Sequence, residues 1–326
     1  MPRLVHAQAE HVQQIYRESH PLWGAGLSLE DYVGLWNEVS STDWAKENVR
    51  FFVWLADDGR LLSSLKMYRP QPQLLGEVER TVVLGAIFTP RLMRRKGHAA
   101  AAMRAALDVG YAAGAASAML FSDIGSSYYE NFGFEPIPAD EHWGALEASL
   151  ANPPDGWTMR DMVVEDLPLV RQMHGEFGSS RPFAIVRDDD HWEFVQRRAE
   201  SFFERLRSSH LRQRWQVATL HGEVAGYLIS VEGRGEWNVR EVGALGGHFS
   251  GMANVLRTGA VGALSNGLRR FYAWLPHELL EYLEEWKIHS RPRRGALPMV
   301  LPLSGTVELP ALQVPGACYI PYQDQF

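Results

Sequence analysis

The segment from Val82 to Ala113 constrains this chain more than any other. A short apolar run, Val82 to Phe88, passes through Thr89-Pro90-Arg91-Leu92-Met93-Arg94-Arg95-Lys96-Gly97-His98-Ala99 into an alanine-rich stretch. The pattern predicts a strand, a basic loop and a helix over about His98 to Ala113. The first N–H groups of such a helix have no partner within it and are ready to meet an anion. Gly97 and Ala99 lack bulky side chains, so the backbone there can approach a ligand closely. The loop suits a pyrophosphate, yet it has neither the Gly-x-x-x-x-Gly-Lys-Ser/Thr of a P-loop nor the Gly-x-Gly-x-x-Gly of a dinucleotide fold.

Arg94-x-x-Gly97-x-Ala99 after a strand, followed about thirty residues on by Tyr129-Glu130-Asn131-Phe132-Gly133-Phe134, resembles the GNAT superfamily of N-acetyltransferases. The resemblance implies an α/β fold with a mixed sheet and a loop that holds the pyrophosphate of acetyl-CoA. Phe88-Thr89-Pro90 and Leu120-Phe121-Ser122-Asp123-Ile124-Gly125 are similar to runs in the fungal lysine N-acetyltransferase branch. This closer likeness covers roughly residues 50 to 136. The chain departs from that branch at Arg95, where a glycine is usual, and at His98, where an aromatic is usual.

At 326 residues the chain is long enough for two domains. Ala151-Asn152-Pro153-Pro154-Asp155-Gly156 is rich in turn formers and predicts a boundary, giving 1–150 and 151–326. Phe51–Ala56 and Leu61–Tyr68, joined by Asp57-Asp58-Gly59, read as a hairpin, with Arg80–Phe88 and Ser117–Ser122 as further strands. The same order returns in the second half: helices over Glu165–Glu176 and His191–Leu206, a hairpin over Trp215–Val231, a strand at Arg240–Gly246, a helix at Met252–Leu264, a strand at Arg269–Trp274 and a helix at Pro276–Glu285. A tandem pair of GNAT-like units is the expectation. The second unit has Gly246-Gly247-His248-Phe249-Ser250-Gly251 in place of the basic loop and no Tyr-x-x-x-Gly-Phe. It is expected to bind no coenzyme and to serve the sheet, the substrate cleft or a dimer surface.

Acetyl transfer to an amine requires a held thioester, a donor to its carbonyl oxygen, a deprotonated amine and a hydrogen-bond or proton donor for the thiolate. The loop Arg94, Arg95, Lys96, Gly97, His98 and Ala99 is the candidate for the first. The resemblance implies that a main-chain N–H of Ala86, Ile87 or Phe88, at a bulge in the preceding strand, supplies the second; Gly85 is compatible with such a bulge. Tyr129 is the candidate donor to the thiolate, with a packed helix aromatic as the alternative. Tyr128 is its decoy. Asp123 is a candidate base or amine-orienting group and equally a helix cap; Glu79 and Glu77 are weaker candidates. Trp23, Asp31, Tyr32, Trp36, Asp43 and Trp44 place aromatic faces near carboxylates, which suits a cationic amine, or simply a core. Trp23, Tyr32, Trp36 and Glu79 are the expected acceptor-binding set.

Composition narrows the partners. Apolar residues make up 46% and charged residues 22%, as in ordinary globular proteins, and the net charge of −7 gives no basic face for nucleic acid. One cysteine, Cys318, excludes a disulfide framework, and the 12 histidines form no ligand-spaced pair, so no metal is expected. No secretory start and no apolar run near the ~20 residues of a membrane span are visible. The expectation is a cytoplasmic enzyme, possible as a homodimer, with a lysine-like small amine as acceptor. An aminoglycoside or polyamine acceptor, or a non-catalytic acyl-CoA-binding regulator, are the alternatives.

Overall fold

The computed structural model describes the chain except residues 75–76, 207–209, 305–308, 322–323 and 325–326, and the side chains of 73, 74 and 77; Gly76 and the side chain of Glu77 therefore lie outside the described residues. The first half opens with β1 (Arg3–His6), followed by α1 (Ala9–Trp23), α2 (Leu29–Ser40) and α3 (Asp43–Asn48). Ser28 caps α2 by accepting the Asp31 N–H, and Thr42 caps α3 by accepting the Ala45 N–H. The hairpin is β2 (Val49–Leu55) and β3 (Leu61–Tyr68), turned at Gly59, whose φ of +81° is left-handed. Then come β4 (Gln71–Leu74), β5 (Glu77–Val78), β6 (Thr81–Phe88), α4 (His98–Ala112), β7 (Ser117–Ser122), α5 (Ser127–Glu130), β8 (Glu135–Pro136) and β9 (Asp140–Ala145).

The second half runs β10 (Trp157–Asp161), α6 (Leu167–Ser179), β11 (Phe183–Val186), α7 (Asp189–Arg205), β12 (Arg212–Leu220), β13 (Glu223–Gly233), β14 (Glu236–Ala244) and α8 (Phe249–Ser265). It closes with β15 (Arg270–Ala273), a 3₁₀ segment His277–Trp286, β16 (His289–Pro292), β17 (Leu297–Pro302) and α9 (Leu309–Leu312). The first sheet has the order β1-β2-β3-β6-β7-β17-β8 and the second β10-β12-β13-β14-β15-β9-β16. Each is an antiparallel ladder with one parallel pair, β6/β7 in the first and β14/β15 in the second. A helix crosses over between the strands of each pair, α4 or α8, as parallel neighbours require. A small sheet β11-β4-β5 joins the halves.

The sheets do not divide at residue 150. β9, from the first half, sits between β15 and β16 in the second sheet. β17, from the second half, sits between β7 and β8 in the first. The turn at 151–156 is real, but each half completes the other's sheet. The halves also meet through helices: Arg205 and Ser201 of α7 each reach Glu38 Oε2 of α2 at 2.8 Å, and Trp44 of α3 stacks on His191 at 4.2 Å. Asp31 and Asp43 stand in the first turns of α2 and α3, Asp43 paired to Lys46 at 2.7 Å, so these carboxylates serve helix starts.

The second half holds a fully buried ionic group. Arg187 donates to Asp324 at 2.6 Å and to both oxygens of Glu241, which also accepts from Tyr227 at 2.8 Å. Burial opposes the Glu241 charge, but Arg187 and His174 outweigh it and hold the carboxyl down at about 2. In β9, His142 is buried, with Nδ1 facing Ser290 Oγ at 2.8 Å and Nε2 facing the Leu275 carbonyl at 3.3 Å. Burial pushes this imidazole down from 6.5 to about 4. The folded protein therefore keeps His142 neutral where the unfolded chain is protonated. Its contribution to stability is complete above pH 6.5 and is lost as pH falls towards 4, with a slope of up to about 1.4 kcal/mol per pH unit. Urea midpoints are expected to fall between pH 7 and pH 4 for the wild type, and to fall less steeply for His142→Gln. Equal slopes for the two proteins would count against this assignment.

Candidate functional site

At the start of α4 the backbone does what the sequence suggested. Gly97 has φ +79° and φ this positive favours glycine; a Cβ there would meet nothing within 4 Å. No side chain caps the helix, and its first backbone bond is Ala101 N–H to the Gly97 carbonyl. The N–H groups of His98, Ala99 and Ala100 thus open outward at the positive end of a 15-residue helix. Arg94 Nε donates to the Thr89 carbonyl at 3.1 Å and Lys96 Nζ to the Leu92 carbonyl at 2.9 Å. These two side chains brace the loop from within. Arg95 is left-handed at φ +60°, which gives a physical reason for a glycine to be favoured at that position.

β6 carries a bulge next to this loop. Lys66 of β3 pairs with Gly85 and Ser64 with Phe88, so β6 spends one residue more than β3 between the two pairs. Ala86 sits in the extra step with φ +47°. On the other side, the parallel pairing with β7 ends at Leu84 opposite Leu120. Ala86 and Ile87 therefore have no ladder partner on either side, and β6 and β7 part there. Gly85, Ala86 and Ile87 line the cleft that results; Phe88 is buried beside it, edge-on to Trp23 at 6.0 Å.

The cleft has a volume of about 340 Å³. Its walls come from α1 (Ile15, Tyr16, Ser19, Trp23), α2 (Tyr32, Trp36), the hairpin (Phe51, Lys66, Tyr68), β6 (Leu84 to Ile87) and the end of β7 (Leu120, Phe121, Asp123, Ile124), with Tyr129 of α5. Tyr129 lines it whereas Tyr128 does not. Burial pushes the Tyr129 phenol up to about 12, helped by Tyr128 and the Asp123 charge, so it stays protonated and can donate. Asp123 also lines the cleft. Its Oδ1 accepts the Ala296 N–H at 2.8 Å, fastening the turn before β17, and it gives α5 no cap.

Of the expected acceptor-binding set, Trp23, Tyr32 and Trp36 face the cleft. Glu79 does not line it; it lies before β6, its N–H bonded to the Pro72 carbonyl at 3.0 Å. Tyr32 shares a hydrogen bond with Ser19 at 3.3 Å, and burial raises its phenol. Trp36 has a cation over its ring already: Lys66 Nζ stands 3.8 Å from the ring centroid, with Phe51 at 5.4 Å and Tyr16 at 5.6 Å. Lys66, with 5% exposure, gave no signal in the sequence, since it interrupts an apolar run that reads as a strand. Among the described residues no group of three or more histidine, cysteine, aspartate or glutamate side chains is placed to hold a metal ion, and no helix is long and apolar enough to cross a membrane. Burial pushes the Cys318 thiol up to about 12, and the residue does not line the cleft.

Ahead of α8 in the second sheet, one backbone donor is already taken. Gly246 and Gly247 are both left-handed at φ +66°, ahead of α8, but the Gly246 N–H donates to Glu176 Oε2 at 2.9 Å. A carboxylate of the chain itself occupies that donor.

Residues 8–137 match the family described as the acetyltransferase (GNAT) domain. A GCN5-related N-acetyltransferase from Anabaena variabilis has the same fold with a TM-score of 0.71 at 13% identity, over 93% of this chain and 73% of that one. A conserved protein of unknown function from Enterococcus faecalis gives 0.70 at 14%, with coverages of 93% and 73%. A tandem GNAT protein from the clavulanic acid biosynthesis pathway gives 0.54 at 13%, over 94% of this chain and all of that one. No curated protein matches the chain. With its parting strands, its bulge and its open helix start, the chain has a GNAT-like fold of mixed sheets, within which residues 8–137 are the part that matches the acetyltransferase (GNAT) family.

Proposed function

We propose that this protein moves an acetyl group from acetyl-CoA to a primary amine of a small molecule, lysine-like among the candidates, by direct attack. The observation that carries this reading is the continuity of two features. The uncapped N–H groups at His98–Ala100 and the unpaired strand segment Ala86–Ile87 flank one loop, and Ala86 and Ile87 line the cleft. Bound acetyl-CoA supplies an activated acetyl thioester. The loop backbone holds its pyrophosphate through N–H donors and the helix dipole. The main chain at Ala86 or Ile87 offers an N–H to the acetyl oxygen, and a donor fixed there before reaction needs no reorganisation. Tyr129 Oη donates a hydrogen bond at the sulfur. The second half acts as a degenerate repeat that fills the first sheet and supports α2 over the cleft.

Calorimetric titration with acetyl-CoA, paired with thiol release over an amine panel, tests the reading. Micromolar binding and free coenzyme A with at least one amine are expected. Gly97→Val forces a β-branched residue to φ +79°, a strain of about 1–3 kcal/mol, and should weaken acetyl-CoA binding by about 10- to 100-fold. Undiminished binding by that variant would remove the loop from the site. Binding without thiol release for any amine would favour a regulatory acyl-CoA binder.

A further inference from the structure

Lys66 is out of place on any purely structural account. It projects from the middle of β3, opposite Gly85 and beside the bulge at Ala86, and it lines the cleft. With Tyr16 and Phe51 it also borders a second cavity of about 370 Å³ reached between α1, α2 and β2. Among the described residues, the other buried cations each have oxygen partners, carboxylate for two of them and main-chain carbonyl for the third. Arg187 has Glu241 and Asp324, Arg181 has Glu278 at 2.5 Å, and Arg293 donates to the carbonyls of Asp140 and Ile320. Among the described residues no carboxylate pairs with Lys66; it has only the three ring faces. Burial, and secondarily the charge of Arg198, push its ammonium down to about 7.

An unmatched buried ammonium is costly, and replacing it by an apolar side chain would be cheaper for the fold. The aromatic walls also exclude water, so an anion arriving at Nζ would be attracted far more strongly than in bulk solvent. A cationic acceptor would instead meet a like charge where the sequence suggested an aromatic box.

We propose that Lys66 anchors an anionic group of the acyl acceptor, a carboxylate above all, so that the acceptor is an amino-acid-like amine and not a polyamine. The site stands on the position and isolation of Lys66; only its role in turnover rests on the acyl-transfer reading.

Acceptor pairs differing by one carboxylate test it: L-lysine against cadaverine, L-ornithine against putrescine and L-tryptophan against tryptamine, each with saturating acetyl-CoA. For an accepted pair, the wild type is expected to favour the carboxylate-bearing member at least tenfold in kcat/KM. Lys66→Met should lose that preference while melting at the same or a higher temperature. Lys66→Arg, which keeps the charge but cannot act as a base, should retain a preference. Equal preference in the wild type, preference for the decarboxylated member, or an equal loss on both members in Lys66→Met and Lys66→Arg would overturn the anchor; the last result would make Lys66 a base. If no amine releases coenzyme A, acyl transfer fails and the anchor is judged by binding alone. Tryptophan fluorescence titrated with phenylacetate and with phenylacetamide should then show at least tenfold tighter binding of the carboxylate, abolished in Lys66→Met. Equal binding of the two, or no binding of either, would reject it.

Discussion

A polypeptide ending at Leu150 is expected to stay unfolded, although it contains the whole stretch matched to the acetyltransferase family. β17 would be missing from between β7 and β8. It pairs with β7 from Leu297 opposite Ser122 to Pro302 opposite Ser117, and its Met299 and Val300 are fully buried in the two cores on either side of the sheet. Each of these side chains contributes about 1.5–3 kcal/mol by burial. Losing them, the ladder and the contacts of α7 with α2 exceeds what a domain stable by about 5–15 kcal/mol can absorb. β7 would become an exposed edge, which invites aggregation. The fragment 151–326 fares no better, since it lacks β9 with the buried His142. Circular dichroism with urea titration reads the result. A cooperative transition in the isolated 1–150 fragment would refute it, whereas recovery of one transition on co-expressing both fragments is the expected complement.

Tyr129→Phe is expected to lower kcat by about 100-fold while leaving the affinity for acetyl-CoA within about threefold. The change removes one oxygen and keeps the ring, whose edge contacts to Tyr128 and Phe134 lie at 5.1 and 6.5 Å between centroids. Stability should therefore be unaltered. A phenol held up at about 12 is a weaker acid than a thiol, so the task proposed for it is a hydrogen bond to the developing thiolate more than outright proton transfer. The sign follows: the phenol is intact below pH 12, and no alkaline loss of kcat attributable to Tyr129 should occur through pH 10. Initial rates from pH 7 to 10 for both proteins decide. An unchanged kcat in the variant would leave Tyr129 as a wall residue only.

The legible parts of this chain were those encoded by neighbours in sequence. The loop Arg94–Ala99, the strand before it and α4 after it lie within one contiguous run, so spacing alone located the strand end and the uncapped helix start. Gly85 hinted at the bulge, which falls on Ala86. Tyr129 was separable from Tyr128 by register to Gly133 and Phe134. The illegible parts depend on distant pairing. β17 joins β7 across more than 170 residues, and no local pattern reveals a strand that leaves its own half. Lys66 stood in Leu61–Tyr68, a strand whose eight residues are all buried, so alternation could not say which way the lysine faced. Glu79 looked suitable because it precedes β6, but it belongs to the turn facing β4. The second glycine loop could be read as degenerate, yet only the fold shows Glu176 standing on it.

The crossing of β9 and β17 has a consequence for how such a molecule can change. In a chain of two independent units, either one would ordinarily be free to decay or to be shed. Here each half lends the other the next-to-last strand of its sheet. Neither can be lost without taking a plank out of its neighbour.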